Sequence, residues 1–506
     1  MKILNVNQIR EADNYTIKNE PIDSIHLMER AAASSFDRIK VSLSLSRQIR
    51  IFCGSGNNGG DGLALSRMLI QAGYQVQTYL IKSSENYSDD CQMNLNRLKE
   101  ITDNQVYEMF SASDFPDIKS EDLVVDAIFG SGLSRSVEGI AAQLIKHINE
   151  SGAVIISIDI PSGLMVDQAI DFHTAAVIHA DYTFTFQFPK LAFLFPENEI
   201  IVGQWEVLPI GLHPGYLKSV TVKDNFMSSD EVRLILKKRA KYSHKGSFGH
   251  ALLIAGSEGK LGAAMLAAKS CLRAGAGLLH VHLSGSAAMP LQTAIPEAML
   301  SLDQSKTCFS HIPDLAGFNA IGVGPGIGTS DETSKALKLL IQEVKFPVVF
   351  DADALNILSE NKTWLAFLPE GSILTPHPKE FERLVGKWSN SFEKLQLQKE
   401  LSAKYNLIVV VKGAHTSITD PFGNCWFNST GNPGMATGGS GDVLTGIILG
   451  LLAQHYQPIE AAKLGVYLHG LAGDIAAENW GFESLIASDI TENLGKAYKK
   501  LADSVI

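Results

Sequence analysis

The sequence predicts an α/β protein with two domains, and three observations carry that prediction. Short apolar runs rich in β-branched residues, such as Gln75–Ile81 and Val154–Ile158, alternate with stretches of helical spacing, such as Gly139–Asn149. This alternation is typical of a parallel sheet that helices cover on both faces. The 506 residues correspond to two to four domains at about 150 residues each. The apolar fraction of 45% gives each domain enough side chains to build a core.

Two series of such elements are separated by a segment that interrupts regular structure. Candidate strands of the first series lie at residues 50–53, 75–81, 123–128 and 154–158, and those of the second at 251–255, 277–282, 320–323, 347–351, 372–374 and 407–412. Between the two series, Pro214 interrupts regular structure and a Ser-Ser-Asp-Glu segment begins a helix. We expect the boundary between about Gly211 and Asn225, and therefore domains at residues 1–215 and 225–506.

Composition and charge exclude several classes of protein. The 54 acidic and 43 basic side chains leave a net charge of −11, which gives no electrostatic footprint for nucleic acid or an anionic membrane. Five scattered cysteines without metal-ligand spacing suit a reducing compartment. The first twenty residues have no apolar core of a signal peptide. We therefore expect a cytoplasmic protein without a disulfide framework, a membrane anchor or a nucleic-acid partner.

A glycine-rich turn, FCGSGNNGGDG, follows a predicted strand and opens a predicted helix of the first domain. Glycines there can let the backbone approach a phosphate, while the helix N-terminus offers free N–H groups. The plainer interpretation is that the glycines only allow tight packing of helix against strand. Asn57, Asn58 and Asp61 add polar side chains that packing alone does not need. The domain is accordingly predicted to be a Rossmann-like three-layer sandwich with a ligand at this turn.

Two further strand ends carry polar side chains. Asp126 precedes a Gly-Ser-Gly loop, and Asp159 and Ser162 flank a proline. Ligands bind outside the carboxyl ends of parallel strands, so we expect these loops and the glycine-rich turn to converge. Asn58, Asp126 and Ser162 offer only oxygen ligands, which favours an alkali or alkaline-earth cation over zinc. Alternatively, Asp126 and Ser162 are helix caps.

In their order and spacing, NNGGDG, DAIFGSGL and IDIPSGL resemble the YjeF N-terminal family of NAD(P)H-hydrate epimerases. That family epimerises the damaged cofactor that is hydrated at C6 of its nicotinamide ring. The resemblance implies that Asn58, Asp126 and Ser162 hold a potassium ion and that Asp159 contacts the substrate. Epimerisation at a hydroxylated carbon needs proton transfer, which a buried carboxylate such as Asp159 can supply. The resemblance further implies that the dinucleotide is bound by Asn57, Asn58, Gly59, Gly60, Asp61, Gly130, Ser131, Gly132, Leu133, Ser134, Arg135 and Ser136.

In the second domain, GMATGGSGDVLTG combines a run of glycines with an apolar helix. Backbone amides of residues 438–441 can form an anion-binding nest. Asp442 follows them, and an acid beside a transferring phosphoryl group can accept the proton of the attacking hydroxyl. Asp442 could instead act only as a helix cap. No Walker-type motif is present, so a P-loop enzyme is not expected.

Two other charged positions have a functional and a plain interpretation. Lys412 ends a buried strand, and the Gly-Ala-His-Thr turn after it favours contact with a nucleotide phosphate over a merely solvated charge. Asp351 or Asp353 could hold magnesium, or could end a strand and cap a helix.

SHKGSFGH, TPHPKEF, KGAHT and GGSGD are similar to motifs of the ribokinase-like NAD(P)H-hydrate dehydratase family. The resemblance implies a ribokinase-like α/β domain in which Ala263, Gly326 and His377 contact the hydrated dinucleotide and Asp442 is catalytic at the substrate hydroxyl. It also implies that the adenine nucleotide is held by Lys412, Gly413, Ala414, His415, Thr416 and Gly441. Ser440 stands where many relatives carry Thr, which keeps the hydroxyl.

Together the resemblances imply one bifunctional enzyme that repairs hydrated NADH and NADPH. It would interconvert the R and S epimers and dehydrate the S epimer with ADP (ATP in some relatives), giving AMP and phosphate, with Mg²⁺ in the second domain. The resemblance also implies a homo-oligomer. One alternative is a small-molecule kinase with an accessory dinucleotide-binding domain. Another is a non-catalytic sensor, against which Asp159 and Asp442 argue because binding alone needs neither carboxylate.

Overall fold

The computed structural model describes residues 1–41, 44–82, 86–102, 106–171 and 174–503. The chain divides into two units, Met1–Val222 and Lys223–Ile506. Each unit has helices around a mostly parallel sheet, so the predicted α/β class is confirmed. Within the described ranges, no helix combines the length and apolar content that crossing a bilayer requires.

The first unit is built on a parallel sheet with the order β3-β2-β1-β4-β5-β6-β7. Its strands are β1 Gln48–Cys53, β2 Gln75–Ile81, β3 Val106–Met109, β4 Leu123–Ala127, β5 Val154–Ile158, β6 Tyr182–Phe186 and β7 Gln204–Leu208. Its helices are α1 Val6–Asn19, α2 Ser24–Lys40, α3 Asn57–Gln71, α4 Asp89–Ile101, α5 Gly139–Asn149, α6 Glu199–Val202 and α7 Pro214–Ser219. The strand order reverses direction between β1 and β4, and a ligand crevice is expected outside the carboxyl ends of the strands there.

Two hydrophobic clusters cover the two faces of this sheet. Side chains alternate along a strand, so Ile51 of β1 packs with Leu65 of α3 on one face, while Phe52 packs with Leu144 of α5 on the other. Helices α2 and α4 add to the first cluster. The predicted three-layer sandwich of the first domain is thereby confirmed.

The second unit has a larger sheet with the order β11-β10-β9-β12-β13-β14-β15-β16-β17-β8. Its strands are β8 Asp224–Phe226, β9 His250–Ile254, β10 Leu278–Leu283, β11 Met299–Leu302, β12 Ala320–Val323, β13 Val348–Phe350, β14 Ile373–Leu374, β15 Ile408–Val411, β16 Ser417–Thr419 and β17 Cys425–Phe427. Its helices are α8 Ser229–Arg233, α9 Leu261–Arg273, α10 Ala288–Ala294, α11 Asp331–Glu343, α12 Ala352–Glu360, α13 Pro378–Val385, α14 Ser391–Tyr405, α15 Ser440–Ala453, α16 Pro458–Trp480 and α17 Ala487–Asp503. Strand β16 pairs antiparallel with β15 and β17, and the other pairs are parallel.

The buried helix α15 carries the predicted catalytic aspartate and packs closely against α9. A Cβ atom at Gly446 would lie 2.0 Å from the carbonyl oxygen of Ala267, and one at Gly450 would lie 2.5 Å from that of Cys271. Glycine is therefore required at both positions for the two helices to approach. This contact fixes the start of α15, where the glycine run lies.

Several elements differ from the sequence-based expectation. Pro214, expected to interrupt structure, begins α7, since proline already has a helical φ and needs no N–H donor at the first helical position. The predicted strands appear with ends shifted by at most two residues where they shift at all. The sequence patterns did not predict α1, α2 or the antiparallel pairing of β16 with its neighbours.

Candidate active sites

A cavity of about 490 Å³ lies at the carboxyl ends of β1 and β4 in the first unit. Residues of the predicted dinucleotide site that line it are Asn57, Asn58, Asp61, Gly130, Ser131, Gly132, Leu133 and Asp159. Ser134, Arg135 and Ser136 are exposed and lie outside this wall. The three loops therefore converge as expected.

Gly59 and Gly60 lie beneath the glycine-rich turn and off the cavity wall. A Cβ atom at Gly59 would lie 1.9 Å from the carbonyl oxygen of Gly54, and one at Gly60 would lie 2.6 Å from the sulfur of Met28. These two glycines are needed for tight packing of α3, which is the plainer of the two interpretations. The polar residues beside them provide the cavity surface.

Asp126 is fully buried near the end of β4 and joins two loops. One carboxylate oxygen accepts hydrogen bonds from the hydroxyl of Ser157 and the backbone N–H of Ser162, each at 2.8 Å. The other accepts from the Ser162 hydroxyl at 2.5 Å and from the N–H of Ile128 at 3.3 Å. Burial raises the pKa of Asp126, although these hydrogen bonds oppose the shift. Asp126 is a strand residue, so the helix-cap alternative does not describe it.

The side chains of Asn58 and Ser162 both form hydrogen bonds with the backbone of Phe129. The side-chain amide of Asn58 donates to the carbonyl oxygen of Phe129 at 3.0 Å, and the hydroxyl of Ser162 accepts from the Phe129 N–H at 2.8 Å. Together with Asp126, these groups form a cluster of oxygen atoms from a carboxylate, an amide, a hydroxyl and a carbonyl. This donor chemistry fits a hard cation, so the residues present are compatible with the predicted potassium ion.

Asp159 lies on the cavity wall in an unusual backbone conformation, with φ of +66°. Such a conformation is uncommon outside glycine and is concentrated at functional sites. One carboxylate oxygen of Asp159 accepts from the Nζ of Lys190 at 2.8 Å and from the backbone N–H of Phe186 at 3.1 Å. Lys190 is only 1% exposed, so this is a buried ion pair inside the cavity. Lys190 was not predicted from the sequence, because the Phe-Gln-Phe-Pro segment before it forms no recognisable motif.

Two more carboxyl groups line the same cavity. Burial raises the pKa of Asp13 to about 7, with a further contribution from the charge of Asp159 and an opposing one from Lys190. Burial, together with the neighbouring carboxylates, also holds the pKa of Asp61 well above its ordinary value. The cavity therefore combines a carboxylate paired with a cation and two carboxyl groups whose pKa values are raised. That combination is suited to acid–base chemistry.

In the second unit, Asp442 lies in the first turn of α15. The residue that precedes the helix is Gly439, which has φ of +90°, so Asp442 is not the N-cap residue. Burial raises the pKa of Asp442 to about 6, and the charges of Asp351 and Asp353 add to this shift while Lys412 opposes it. No hydrogen bond to the Asp442 carboxylate occurs among the described residues, and this leaves it available to a ligand.

Lys412 and Asp351 form an ion pair next to the glycine run. The Nζ of Lys412 lies 2.9 Å from one oxygen of Asp351, and the hydroxyl of Thr445 donates to the other at 2.6 Å. A Cβ atom at Gly441 would lie 3.2 Å from the Nζ of Lys412, so the lysine side chain lies next to the glycine run. Lys412 is therefore more than a solvated surface charge. Asp353 instead accepts from the N–H of Gly328 at 2.9 Å.

The other predicted substrate residues occupy two places. Gly326 has φ of +66°, and a Cβ atom there would lie 3.4 Å from that of Ala263, so these two residues adjoin. His377 begins α13, where its Nδ1 accepts from the N–H of Lys379 at 3.1 Å. Its pKa is lowered by burial and by the charge of Lys412, so the imidazole faces the same charged cluster.

The turn after Lys412 has an exposed tip and a fixed base. Gly413 and Ala414 are exposed, whereas the hydroxyl of Thr416 bonds both the N–H and the carbonyl of Gly413. The ring of His415 bonds the carbonyl oxygen of Asn428 at 3.1 Å, and burial lowers its pKa. The exposed backbone of this turn is thus held in place for contact with a ligand.

Sequence analysis missed His469, which lies on α16. Its Nε2 is 3.0 Å from the carbonyl oxygen of Ser440, and burial lowers its pKa to about 4. A neutral imidazole therefore contacts the backbone at Ser440, where the glycine run meets the start of α15. A single histidine within an apolar helix gives no sequence signal for such a role.

These folds and sites define a two-domain α/β enzyme with a Rossmann-like acid–base site and a second site built like that of a small-molecule kinase. Residues 24–192 match the family model described as YjeF-related protein N-terminus, and residues 251–496 match the model of NAD(P)H-hydrate dehydratase. A solved ribokinase-like superfamily protein from Enterococcus faecalis is 30% identical, covers 56% of this chain and 98% of its own, and gives a TM-score of 0.50.

Full-length relatives make the assignment more specific. The bifunctional NAD(P)H-hydrate repair enzyme of Moorella thermoacetica is 34% identical over 100% of this chain and 98% of its own length. The enzyme of the same name from Escherichia coli is 34% identical over 92% of this chain and 88% of its own. The chain belongs to the family of bifunctional NAD(P)H-hydrate repair enzymes. Both resemblances seen in the sequence are thereby confirmed.

Proposed function

We propose that this protein repairs hydrated NADH and NADPH in two reactions. The first unit interconverts the R and S epimers at C6 of the nicotinamide ring, and the second dehydrates the S epimer at the expense of ADP. The observation that carries the proposal is that one chain holds two separate sites, each with a ligand-accessible carboxyl group beside a lysine–aspartate pair and a glycine loop. The proposed substrates are those of the family to which the chain belongs.

In the first unit, we assign the proton transfer to Asp159, whose carboxylate is oriented by Lys190 and the N–H of Phe186. Asn58, Asp126 and Ser162 would hold the potassium ion. The ion would supply positive charge at the glycine-rich loops, where the dinucleotide phosphates bind.

In the second unit, Asp442 accepts the proton of the C6 hydroxyl, whose oxygen attacks the β-phosphorus of ADP while AMP leaves. Phosphate then departs from C6 with the bonding electron pair. C5 releases a proton to solvent, and the electron pair of the C5–H bond forms the C5=C6 double bond of NAD(P)H. Lys412 and the amides of the glycine run neutralise phosphate charge. Asp353 is a candidate magnesium ligand because both oxygens of Asp351 already accept from Lys412 and Thr445, whereas Lys260 and the N–H of Gly328 contact the same single oxygen of Asp353. Magnesium would supply further charge neutralisation to the phosphates.

The proposed substrates are small molecules of central metabolism, and we therefore also propose a cytoplasmic location. The homo-oligomer that the resemblance implies remains part of the proposal, and its measurement is the mass of the purified protein in solution.

The test is incubation of mixed-epimer NADH-hydrate with the full-length protein and ADP, followed by the absorbance of reduced cofactor. Complete recovery requires both activities. Recovery of only the S fraction would contradict the epimerase assignment, and a stable phosphorylated product without NADH would indicate a kinase instead. Omission of ADP is the control, since it should prevent recovery without stopping epimerisation.

A further inference from the structure

We propose that Asp13 is a second catalytic residue of the epimerase site, donating a proton to the ring nitrogen N1 while Asp159 accepts the proton of the C6 hydroxyl. The inference rests on the proposed function of the first unit, in which Asp159 is the base, and it adds Asp13 as the acid. Asp13 belongs to α1, which precedes the residues that match the family model.

The cavity provides two carboxyl groups in contrasting environments. Asp159 accepts from Lys190 and from the N–H of Phe186, so a cation and a backbone donor hold its side chain in place. Asp13 lines the same cavity, and none of the described residues donates a hydrogen bond to its carboxyl group. An acid that protein donors leave free and that faces the cavity is able to give its proton to a bound substrate.

The charged surroundings of Asp13 favour its protonated form. The groups that face it are Asp61 of α3, Asp159 and Lys190, with Arg10 on its own helix also lining the cavity. Burial and the charge of Asp159 raise the pKa of Asp13 to about 7, and Lys190 only partly offsets them. Burial, with the charge of Asp159 adding to it, therefore makes Asp13 the candidate acid beside the lysine-paired carboxylate of Asp159, and a pair of carboxyl groups in different environments is what acid–base enzymes use.

The substrate chemistry requires such a pair. Carbon C6 carries both the hydroxyl and the bond to N1, so it is a carbinolamine. When Asp159 takes the hydroxyl proton, the electron pair of the O–H bond forms the second bond of the C6 carbonyl and the C6–N1 bond breaks. N1 keeps the electron pair of the C6–N1 bond and takes the proton of Asp13. Rotation about C5–C6 presents the other face of the aldehyde. Ring closure reverses both transfers, so each carboxyl group returns to its starting state and no other reactant is consumed.

The test follows conversion of pure R-hydrate to S-hydrate by chromatography, with full-length protein, without ADP, and with the spontaneous rate subtracted. Asp13→Asn keeps the size of the side chain but cannot donate an acidic proton, and its rate should fall by about 10²-fold or more. Asp13→Glu retains the acid and should recover part of the rate. The control is Glu11→Gln, which removes an exposed carboxylate from the same helix outside the cavity and should keep the parent rate.

The pH profile of the unmodified protein provides a second measurement that does not depend on whether the variants fold. Its epimerisation should slow as the pH rises through about 7, because Asp13 then loses the proton it must donate. A parent-like rate in Asp13→Asn, or a parent profile without that decline, would overturn the role of Asp13 while leaving the epimerase function standing. Absence of epimerisation in the parent would overturn the proposed function of the unit and this inference with it.

Discussion

The two sites use the same kinds of side chain in different ways. Each has a lysine paired with a carboxylate, Lys190 with Asp159 and Lys412 with Asp351. Each also has a second carboxyl group with a raised pKa and no hydrogen bond from the described residues, Asp13 in one site and Asp442 in the other. The assigned base is the paired carboxylate in the first site and the unpaired one in the second.

The difference follows from what each reaction needs. Epimerisation needs an acid and a base together, and the first site places Asp13, whose pKa is raised to about 7 mainly by burial, in the same cavity as the lysine-paired carboxylate of Asp159. Phosphoryl transfer needs one base and positive charge around the phosphates. In the second site, Lys412 is partly exposed beside the glycine run and can contact a phosphate. Asp442, with a pKa of about 6, is mostly ionised at neutral pH and can accept a proton.

The largest expected effect is that of Asp442→Asn on the dehydratase. Loss of a positioned general base should lower turnover by about 10²–10⁴-fold, while epimerisation continues. In the unmodified protein, dehydration should slow as the pH falls through about 6, because the protonated carboxyl group cannot accept the hydroxyl proton. Both rates are measured with pure S-hydrate and ADP.

A matched control separates catalysis from helix capping. Asp489 also lies in the first turn of a helix, α17, and accepts from the N–H of Ile486 at 3.0 Å. Asp489→Asn should leave dehydration unchanged. If Asp442→Asn behaves like this control, Asp442 contributes only a favourable charge in the first turn of α15, and the assigned mechanism is wrong.

The reciprocal change, Asp159→Asn, should abolish most epimerisation and spare dehydration of the S epimer. The expected loss is again about 10²–10⁴-fold. It is accompanied by a lower melting temperature of the first unit, because Lys190 would remain buried without its anion, which typically costs about 3–5 kcal/mol. Asp117→Asn, which changes an exposed acid of the same unit, is the control for both measurements. Loss of both activities in a folded Asp159→Asn protein would show that the sites are coupled.

What the sequence predicted, and what it did not, follows from how far each signal extends along the chain. Asp126 lies near the end of a predicted strand, and Asn58 and Asp442 lie in the first turns of helices that follow glycine-rich segments, so local patterns mark all three in one sequence. Asp13 and Lys190 have no local motif, since only the packing of α1 and of the segment after β6 brings them to the cavity. Their burial, which determines their chemistry, is a property of the tertiary structure.

For the glycines, the sequence motif was present but did not show what each glycine contacts. Gly59 and Gly60 belong to the motif that indicated the dinucleotide site, yet the structure assigns them close contacts with Gly54 and Met28. A sequence pattern cannot distinguish a glycine that faces a ligand from one that faces a neighbouring backbone, because both need the absence of Cβ.

A smaller effect is expected from Gly446→Ala, which tests whether α15 must approach α9 to position the second site. The added Cβ would lie 2.0 Å from the carbonyl oxygen of Ala267, so the second unit should lose about 1–3 kcal/mol of stability, and dehydration should weaken while epimerisation does not. Gly495→Ala is the control, since this glycine of α17 has open space around it and alanine there should stabilise the helix by about 0.5–1 kcal/mol. Equal melting temperatures and dehydration rates for both variants would contradict the packing argument.

The smallest effect is expected from replacing potassium by a bulky organic cation at equal ionic strength. Asn58, Asp126 and Ser162 offer one carboxylate among oxygen ligands, a low charge for tight calcium binding but compatible with potassium. The hydrogen bonds from Asn58 to the Phe129 carbonyl and from Ser162 to Asp126 already join the loops without an ion, so loss of the ion should slow epimerisation several-fold rather than abolish it. Dehydration of the S epimer in the same two salts is the internal control and should not change. Equal epimerisation rates in both salts would contradict the assignment of potassium to the first site. Asp13 and Asp159 would then be the catalytic groups that remain proposed there.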